Sequence, residues 1–319
     1  VFADVEDLGS ISHDNTYIQK HIEAVLGLLT SSTIEAIRNC KFKVVVDAVN
    51  STGGIAIPKL LERFGVEVVR LYCEPNGHFP HNPEPLKEHL GDICKKVLEE
   101  KVDFGIVVDP DVDRLAFITE EGEMFGEEYT LVACADYILG KTKGNVVSNL
   151  SSSRALRDIA EKHGVQYAAG AVGEVNVVAK MKEVHAIIGG EGNGGIIYPE
   201  LHYGRDALVG VALFLSLLAE RGGSVQQLRE SYPAYFMSKN KIQLTEQINP
   251  DQILKAMEQK YAHEQTTTID GLKIDFADSW VHLRKSNTEP IIRIYTEAKS
   301  QKEADALAHR FIEEMQALI

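Results

Sequence analysis

The chain has 319 residues, 44% of them apolar and 25% charged; that is material for two or three packed domains and excludes disorder as the default state. Its 33 Lys+Arg against 47 Asp+Glu leave a net charge of −14, which argues against general nucleic-acid or anionic-membrane binding, so any phosphate must be held by a few local basic groups and backbone N–H donors. Cys40, Cys73, Cys94 and Cys134 form no C-x-x-C pair and read as buried thiols of a reducing compartment, the cytoplasm.

The opening VFADVEDLGSISHDNTYIQKHI is polar and without clear period; residues 1–16 read as a remnant or linker, the tail of something upstream. From Lys41 onward, strand and helix patterns alternate. KFKVVVD is a β-branched run ending at Asp47, the turn-rich AVNSTGG feeds a helix over IPKLLERFG, and VEVVRLY is the next strand. DICKKVLEEK reads as a helix with Ile93, Val97 and Leu98 on one stripe, followed by the strands FGIVV and LAFIT. A second set follows: helix EYTLVACADYILG, strand NVVSNL, helix SRALRDIAEKHG closed by Gly164, strand VQYAA, helix VNVVAKMKE and strand HAIIGG. Ala207 to Ala219 is a near-apolar run of 13 residues. A membrane span needs about 20, so this is a buried core helix. KIQLTE, LKIDFAD, WVHLRKS and IIRIYTEA then alternate as strands, with one helix early and a last helix carrying Ala304, Leu307, Phe311, Met315 and Leu318 on one face. The expected fold is two βαβ-type mixed α/β domains, over 17–122 and 123–238, followed by a smaller α+β domain over 239–319. No repeat is visible in the sequence.

Three loops carry chemistry. Asp109-Pro110-Asp111-Val112-Asp113-Arg114 follows FGIVV. Pro110 ends the strand, and in an extended chain carboxylates at i, i+2 and i+4 point to one side. Hard anionic oxygens at a strand's C-terminal edge suit Mg2+ together with a substrate phosphate, and three like charges this close repel without a cation. The segment is no EF-hand: Glu120 falls at the twelfth position, but Arg114 stands where that loop needs Gly, and LAFIT reads as a strand. In the second loop, Gly189-Gly190-Glu191-Gly192-Asn193-Gly194-Gly195, the spacing is not a dinucleotide fingerprint. Its glycines admit close approach, and Glu191 and Asn193 offer acceptors and donors suited to sugar hydroxyls. The third is Arg284-Lys285-Ser286-Asn287-Thr288-Glu289-Pro290, with Arg293 beyond. Hydroxyls, backbone N–H groups and two flanking guanidiniums make an oxyanion cradle from Arg284, Ser286, Asn287, Thr288 and Arg293. A plain hairpin turn would explain Ser-Asn and Pro, but not two bracketing arginines.

Together these loops resemble the α-D-phosphohexomutase family, which includes phosphoglucosamine, phosphomannose and phosphoglucose mutases. DPDVDR is similar to the family's metal loop, GEGNGG to its sugar loop and SNTEP with Arg284 and Arg293 to its phosphate loop; Phe79-Pro80-His81-Asn82-Pro83-Glu84-Pro85 matches a further signature. The resemblance runs over nearly the whole chain and implies domains two to four of a four-domain enzyme. The family's first domain carries, in a Ser-His-Asn-Pro loop, the serine that is phosphorylated. That loop is absent here, since His81-Asn82-Pro83 follows Pro80, and Ser151-Ser152-Ser153 reads as a helix N-cap. The resemblance also implies that Asp109, Asp111 and Asp113 hold Mg2+ against the phosphoserine and that Arg114 supports the transferring group. Glu191 and Asn193 would grip ring hydroxyls while the third loop holds the non-reacting phosphate, and the sugar would reorient as a hexose 1,6-bisphosphate, which would also serve as activator. Two departures stand out: Asn193-Gly194-Gly195 replaces a stretch that in many bacterial members holds His, and Ala169-Gly170-Ala171-Val172-Gly173-Glu174 lacks the family's usual Thr or basic residue. Glu-Gly-Asn-Gly-Gly leans toward archaeal-type phosphoglucosamine mutases. The expected partners are hexose phosphates, and the 319 residues alone are expected to bind them without turnover.

Two rivals differ in class. FGIVV followed by Asp-x-Asp also resembles the haloacid-dehalogenase phosphatases, with Asp109 as nucleophile and Asp111 as acid, but that leaves the sugar and SNTEP loops unexplained; the DxD of sugar-nucleotide transferases explains less. A non-catalytic sugar-phosphate-binding module differs from the mutase reading only in what lies upstream. The eleven histidines read as surface or packing residues.

Overall fold

The first apolar periods build a layered α/β unit from α1 (Tyr17–Gly27), α2 (Ser31–Cys40), β1 (Lys43–Asp47), α3 (Gly53–Arg63), β2 (Glu67–Leu71), α4 (Gly91–Glu100), β3 (Phe104–Val108) and β4 (Leu115–Thr119). The computed structural model describes residues 2–244, 249–286 and 289–318. Strand order is β2-β1-β3-β4, parallel except for the last pair. The second unit contains α5 (Glu127–Lys141), β5 (Asn145–Asn149), α6 (Ala155–His163), β6 (Tyr167–Gly170), α7 (Glu174–Glu183), β7 (Ala186–Glu191), β8 (Gly195–Ile197), α8 (Ala207–Arg221) and α9 (Val225–Glu230). Its order, β6-β5-β7-β8, again ends in an antiparallel pair. One topology therefore occurs twice without a visible sequence repeat, because patterning and crossover handedness, which many sequences satisfy, define it. α5 and α8 each touch strands of both sheets and join them in one apolar core. α8 is buried continuously from Ala207 to Leu218, as the apolar run predicts, and no described helix is long and apolar enough to cross a membrane.

The third unit is antiparallel: β9 (Phe236–Gln243), α10 (Pro250–Lys260), β10 (Gln265–Thr267), β11 (Leu272–Asp275), β12 (Trp280–Lys285), β13 (Ile291–Ala298) and α11 (Gln301–Gln316). Its sheet order is β10-β11-β12-β13-β9, so β9 runs across the expected boundary near 239. Buried polar groups dock this unit on the second. The Arg154 guanidinium donates to the carbonyls of Ala277 (2.9 Å), Phe276 (3.2 Å) and Ser279 (2.9 Å), and Lys273 Nζ to Leu150 O at 2.9 Å. Ser151 Oγ lies 2.8 Å from His282 Nδ1.

Two α/β units followed by an α+β unit are what the alternation predicts; several local expectations fail. The opening stretch is not aperiodic to its end, since α1 begins at Tyr17 and buries Ile22, Val25 and Leu26. α3 starts before Ile57, at Gly53, with Pro58 inside it. The carbonyl that Pro58 leaves unpaired, Gly54 O, accepts from Arg70 Nη1 at 3.2 Å. The residue before α6 is Arg154, with no side-chain cap; of the three serines only Ser153 acts as a cap, its Oγ accepting the N–H of Ala155 at 3.2 Å, while the Ser151 and Ser152 hydroxyls find other partners. Leu98 is 54% exposed because a step of five residues rotates it about 140° from Ile93. Leu318 is 49% exposed, being past the end of α11. Cys40 is exposed rather than buried, and Cys94 half-buried.

Candidate functional site

The loop after β3 brings one carboxylate oxygen each from Asp109, Asp111 and Asp113 within 4.8 Å of one another. Strand alternation is not the cause. Val112 adopts φ 62° and its N–H closes on Asp109 O at 3.2 Å, so a tight turn gathers the carboxylates. Ser51 and Thr52 hydroxyls donate to Pro110 O at 2.8 and 2.9 Å, and Ala207 N to Val112 O at 3.0 Å. Asp109 is buried and Oδ1 accepts the N–H groups of Asp113 (3.1 Å) and Arg114 (3.0 Å). Burial pushes its carboxyl up to about 7; the Arg114 N–H opposes this and the charges of Asp113 and Asp111 add to it. Asp113 Oδ1 is buried with no hydrogen-bond partner among the described residues. An orphaned hard oxygen beside two further carboxylates fits Mg2+ as the group that would be held there.

Glu191 closes β7 and is buried. Its Oε1 accepts from Asn149 Nδ2 (2.9 Å) and Gly173 N (3.1 Å), and Oε2 from Arg205 Nη1 (2.9 Å). A carboxylate has about four acceptor sites, so one direction is left for a ligand. Arg205 Nη2 also pairs with Asp113, and the backbone N–H of Arg205 donates to Glu174 Oε1 at 2.9 Å. One guanidinium thus ties the sugar loop to the metal loop. The loop that lacks the family's usual Thr or base supplies Gly173 N–H and the Glu174 carboxylate to this network. Asn193 Oδ1 accepts from Gly195 N at 3.2 Å, and Gly194 O accepts from Leu115 N at 3.0 Å. Gly194 sits at φ 88°, where a β-carbon would collide with Leu115 O.

In the third unit Arg284 and Arg293 stand directly opposite on β12 and β13. Arg284 Nε lies 3.1 Å from Asp270, whose other carboxylate oxygen accepts Val172 N at 2.9 Å; Arg293 Nη2 is 3.7 Å from Glu289. Ser286 N donates to Ile291 O at 3.0 Å, and Ser286 Oγ accepts from Glu289 N at 3.3 Å. Asn287 and Thr288 lie outside the described residues.

A cavity of about 310 Å³ brings Arg114, Glu191, Asn193, Arg284 and Arg293 together across the three units. Asp109, Asp111, Asp113 and Ser286 do not line it; Arg114 is the link to the metal loop. A larger cavity, about 480 Å³ beside α11, contains none of the loop residues. Sequence reasoning missed Arg205, Glu84, Glu128 and Lys239. Glu84 falls within the Phe79–Pro85 signature and accepts from Arg114 Nη1 at 3.0 Å; the others had no local signal. His81 is no loose surface group either: Nε2 lies 3.1 Å from the buried Asp47 carboxylate, which holds its imidazole above the ordinary range against the opposing effect of burial.

Three family models match the chain: Phosphoglucomutase/phosphomannomutase, alpha/beta/alpha domain II over residues 17–122, alpha/beta/alpha domain III over 126–235, and the C-terminal domain over 241–314. A protein of Methanopyrus kandleri named probable phosphoglucosamine mutase is 31% identical, over 97% of this chain and 68% of its own length. The phosphoglucomutase/phosphomannomutase of Thermococcus kodakarensis is 36% identical, over 90% of this chain and 63% of its own. A crystal structure of a phosphoglucomutase/phosphomannomutase family protein from Burkholderia thailandensis superposes with a TM-score of 0.80 at 26% identity, covering 94% of this chain and 64% of that one. The chain spans about two thirds of the length of the curated relatives it matches.

Proposed function

The chain belongs to the phosphoglucomutase/phosphomannomutase family, and we propose that it forms the metal-, sugar- and phosphate-binding parts of a phosphohexomutase acting on glucosamine phosphate in preference to mannose or glucose phosphate. The observation that carries this is the cavity shared by Arg114, Glu191, Asn193, Arg284 and Arg293: basic groups at separate places and hydrogen-bonding groups between them suit a sugar with a phosphate at either end. The preference for glucosamine rests on the Glu191-Gly192-Asn193-Gly194-Gly195 loop and on the M. kandleri relative.

Arg284 and Arg293 hold the phosphate that is not reacting, and charge-assisted N–H···O bonds give that grip its strength. Glu191, with one acceptor direction free, and Asn193 orient the ring through its hydroxyls. Arg114, steadied by Glu84, meets the phosphoryl group that moves. Asp109, Asp111 and Asp113 would hold Mg2+, which offsets negative charge during phosphoryl transfer. The donor in this reading is a phosphoserine in a Ser-His-Asn-Pro loop; no such tetrapeptide occurs in these residues, so the proposal places it on a further segment. Contacts to phosphate and hydroxyls, not to one ring face, tolerate both orientations of a bisphosphate intermediate.

³¹P NMR tests this. With Mg2+, a hexose 6-phosphate and a trace of hexose 1,6-bisphosphate, the 319-residue chain should bind substrate and leave it intact, and with a serine-bearing segment attached it should interconvert 1- and 6-phosphates. Release of inorganic phosphate would overturn the proposal in favour of Asp109 as a nucleophile.

A further inference from the structure

The charges around the cavity are nearly all matched. On the phosphate side Arg284 meets Asp270, and Arg293 meets Glu289. Elsewhere Arg114 meets Glu84, Arg205 meets Glu191, and Lys239 lies 3.4 Å from Glu127. Glu128 is the exception: it lines the same cavity, and among the described residues no cation reaches ion-pair distance of it. Its Oε2 accepts the Ser153 N–H at 2.8 Å. Its carboxyl lies against Gly192 of the sugar loop so closely that a β-carbon there would collide with both oxygens. The sugar loop's glycine therefore makes room for this group beside Glu191 and Asn193. Burial pushes the Glu128 carboxyl up to about 8; Lys239 and the Ser153 N–H oppose that, and Glu127 and Glu297 add to it. A half-buried carboxyl facing a cavity, with no cation at ion-pair distance among the described residues, is stabilised in its charged form by a cation that the ligand brings.

We propose that Glu128 is the specificity-determining residue of the site, its carboxylate receiving the C2 ammonium of a hexosamine phosphate. This rests on the hexose-phosphate reading above and adds to it the residue that selects the substrate. A neutral hexose presents a hydroxyl and leaves the carboxyl protonated. An ammonium completes the charge matching, so Glu128 ionises on binding and its proton passes to the buffer.

Calorimetry on the 319-residue chain with Mg2+ at pH 7, in two buffers of different ionisation heat, reads both effects. Glucosamine 6-phosphate should bind about tenfold more tightly than glucose 6-phosphate and release close to one proton; glucose 6-phosphate should release none. Glu128→Gln should make the two affinities equal and abolish proton release. Should that variant not fold, the proton count on the unaltered chain decides. A preference that survives Glu128→Gln would overturn this inference alone; equal affinities in the unaltered chain would overturn it together with the glucosamine preference proposed above, and leave the hexose-phosphate reading standing. Failure of both sugars to bind would overturn it together with the proposed function.

Discussion

Arg284 and Arg293 face each other across the β12–β13 pairing, two guanidiniums at one register position, and both open into the same cavity. Like charges directly opposite on paired strands repel, and the carboxylates beside them offset this only in part, Glu289 lying 3.7 Å from Arg293. An anion between the two relieves the repulsion. Arg293→Ala should therefore weaken binding of inorganic phosphate and of hexose phosphates about 10- to 100-fold, the worth of ~1.5–3 kcal/mol for hydrogen bonds to charged groups. Chemical denaturation should find its stability within about 0.5 kcal/mol of the parent. Calorimetric titration with phosphate supplies the affinities.

The proposed metal role of Asp109, Asp111 and Asp113 predicts a response to cation by mass action. Mg2+ at a hundredfold excess over its Kd should stabilise the chain by ~2.7 kcal/mol, read as a rise in Tm that EDTA reverses. Asp113→Asn, which replaces the carboxylate bearing the orphaned Oδ1, should abolish that rise. Asp111→Asn, at the exposed member of the set, should reduce it and leave metal-free stability unchanged.

Arg205 pairs with Asp113, Glu174 and the buried Glu191 at once. Arg205→Met leaves Glu191 without its cation, and stranding one partner of a buried pair costs about 3–5 kcal/mol. Urea unfolding should show that loss. Arg205→Lys should recover part of it, since one ammonium reaches a single carboxylate where the guanidinium fork reaches several.

His282, bonded to Ser151 and to Asp270 O, has its imidazole pushed down by burial from 6.5 to about 4. The folded state resists a proton that the unfolded chain accepts. The contribution is therefore complete above pH 6.5 and is lost as the pH falls through 4, by up to about 3 kcal/mol. Asp109, raised by burial, works in the opposite sense over part of that range, so the comparison is between variants. Tm against pH should fall less steeply below 6.5 in His282→Gln than in the parent.

Much of the fold was legible because strands and helices are written in local periods. FGIVV, IIRIYTEA and the apolar run of α8 are strand and helix in the structure as read. Two of the errors fell where a tertiary partner changes the local balance. Pro58 reads as the start of a helix, yet lies inside α3 because Arg70 satisfies the carbonyl it leaves free. Ser151–Ser153 read as a cap, and Ser153 accepts the Ala155 N–H, yet Ser151 turns to His282 and Ser152 accepts the Gly192 N–H. The repeated sheet order had no trace in the sequence, since topology depends on pattern and not on residue identity.

Residue type and spacing by themselves determined which chemical groups each loop offers: three carboxylates two residues apart, Glu and Asn among glycines, two arginines bracketing hydroxyls. They could do so because a loop's donors and acceptors are set by its own few side chains. Only the tertiary structure decided which of those groups meet and which stay unmatched. Glu127 and Glu128 are neighbours of one type, indistinguishable along the chain. Packing gives Glu127 the ammonium of Lys239 and sets Glu128 against Gly192 with no cation at ion-pair distance among the described residues, because that difference is made by strands and loops far away in sequence.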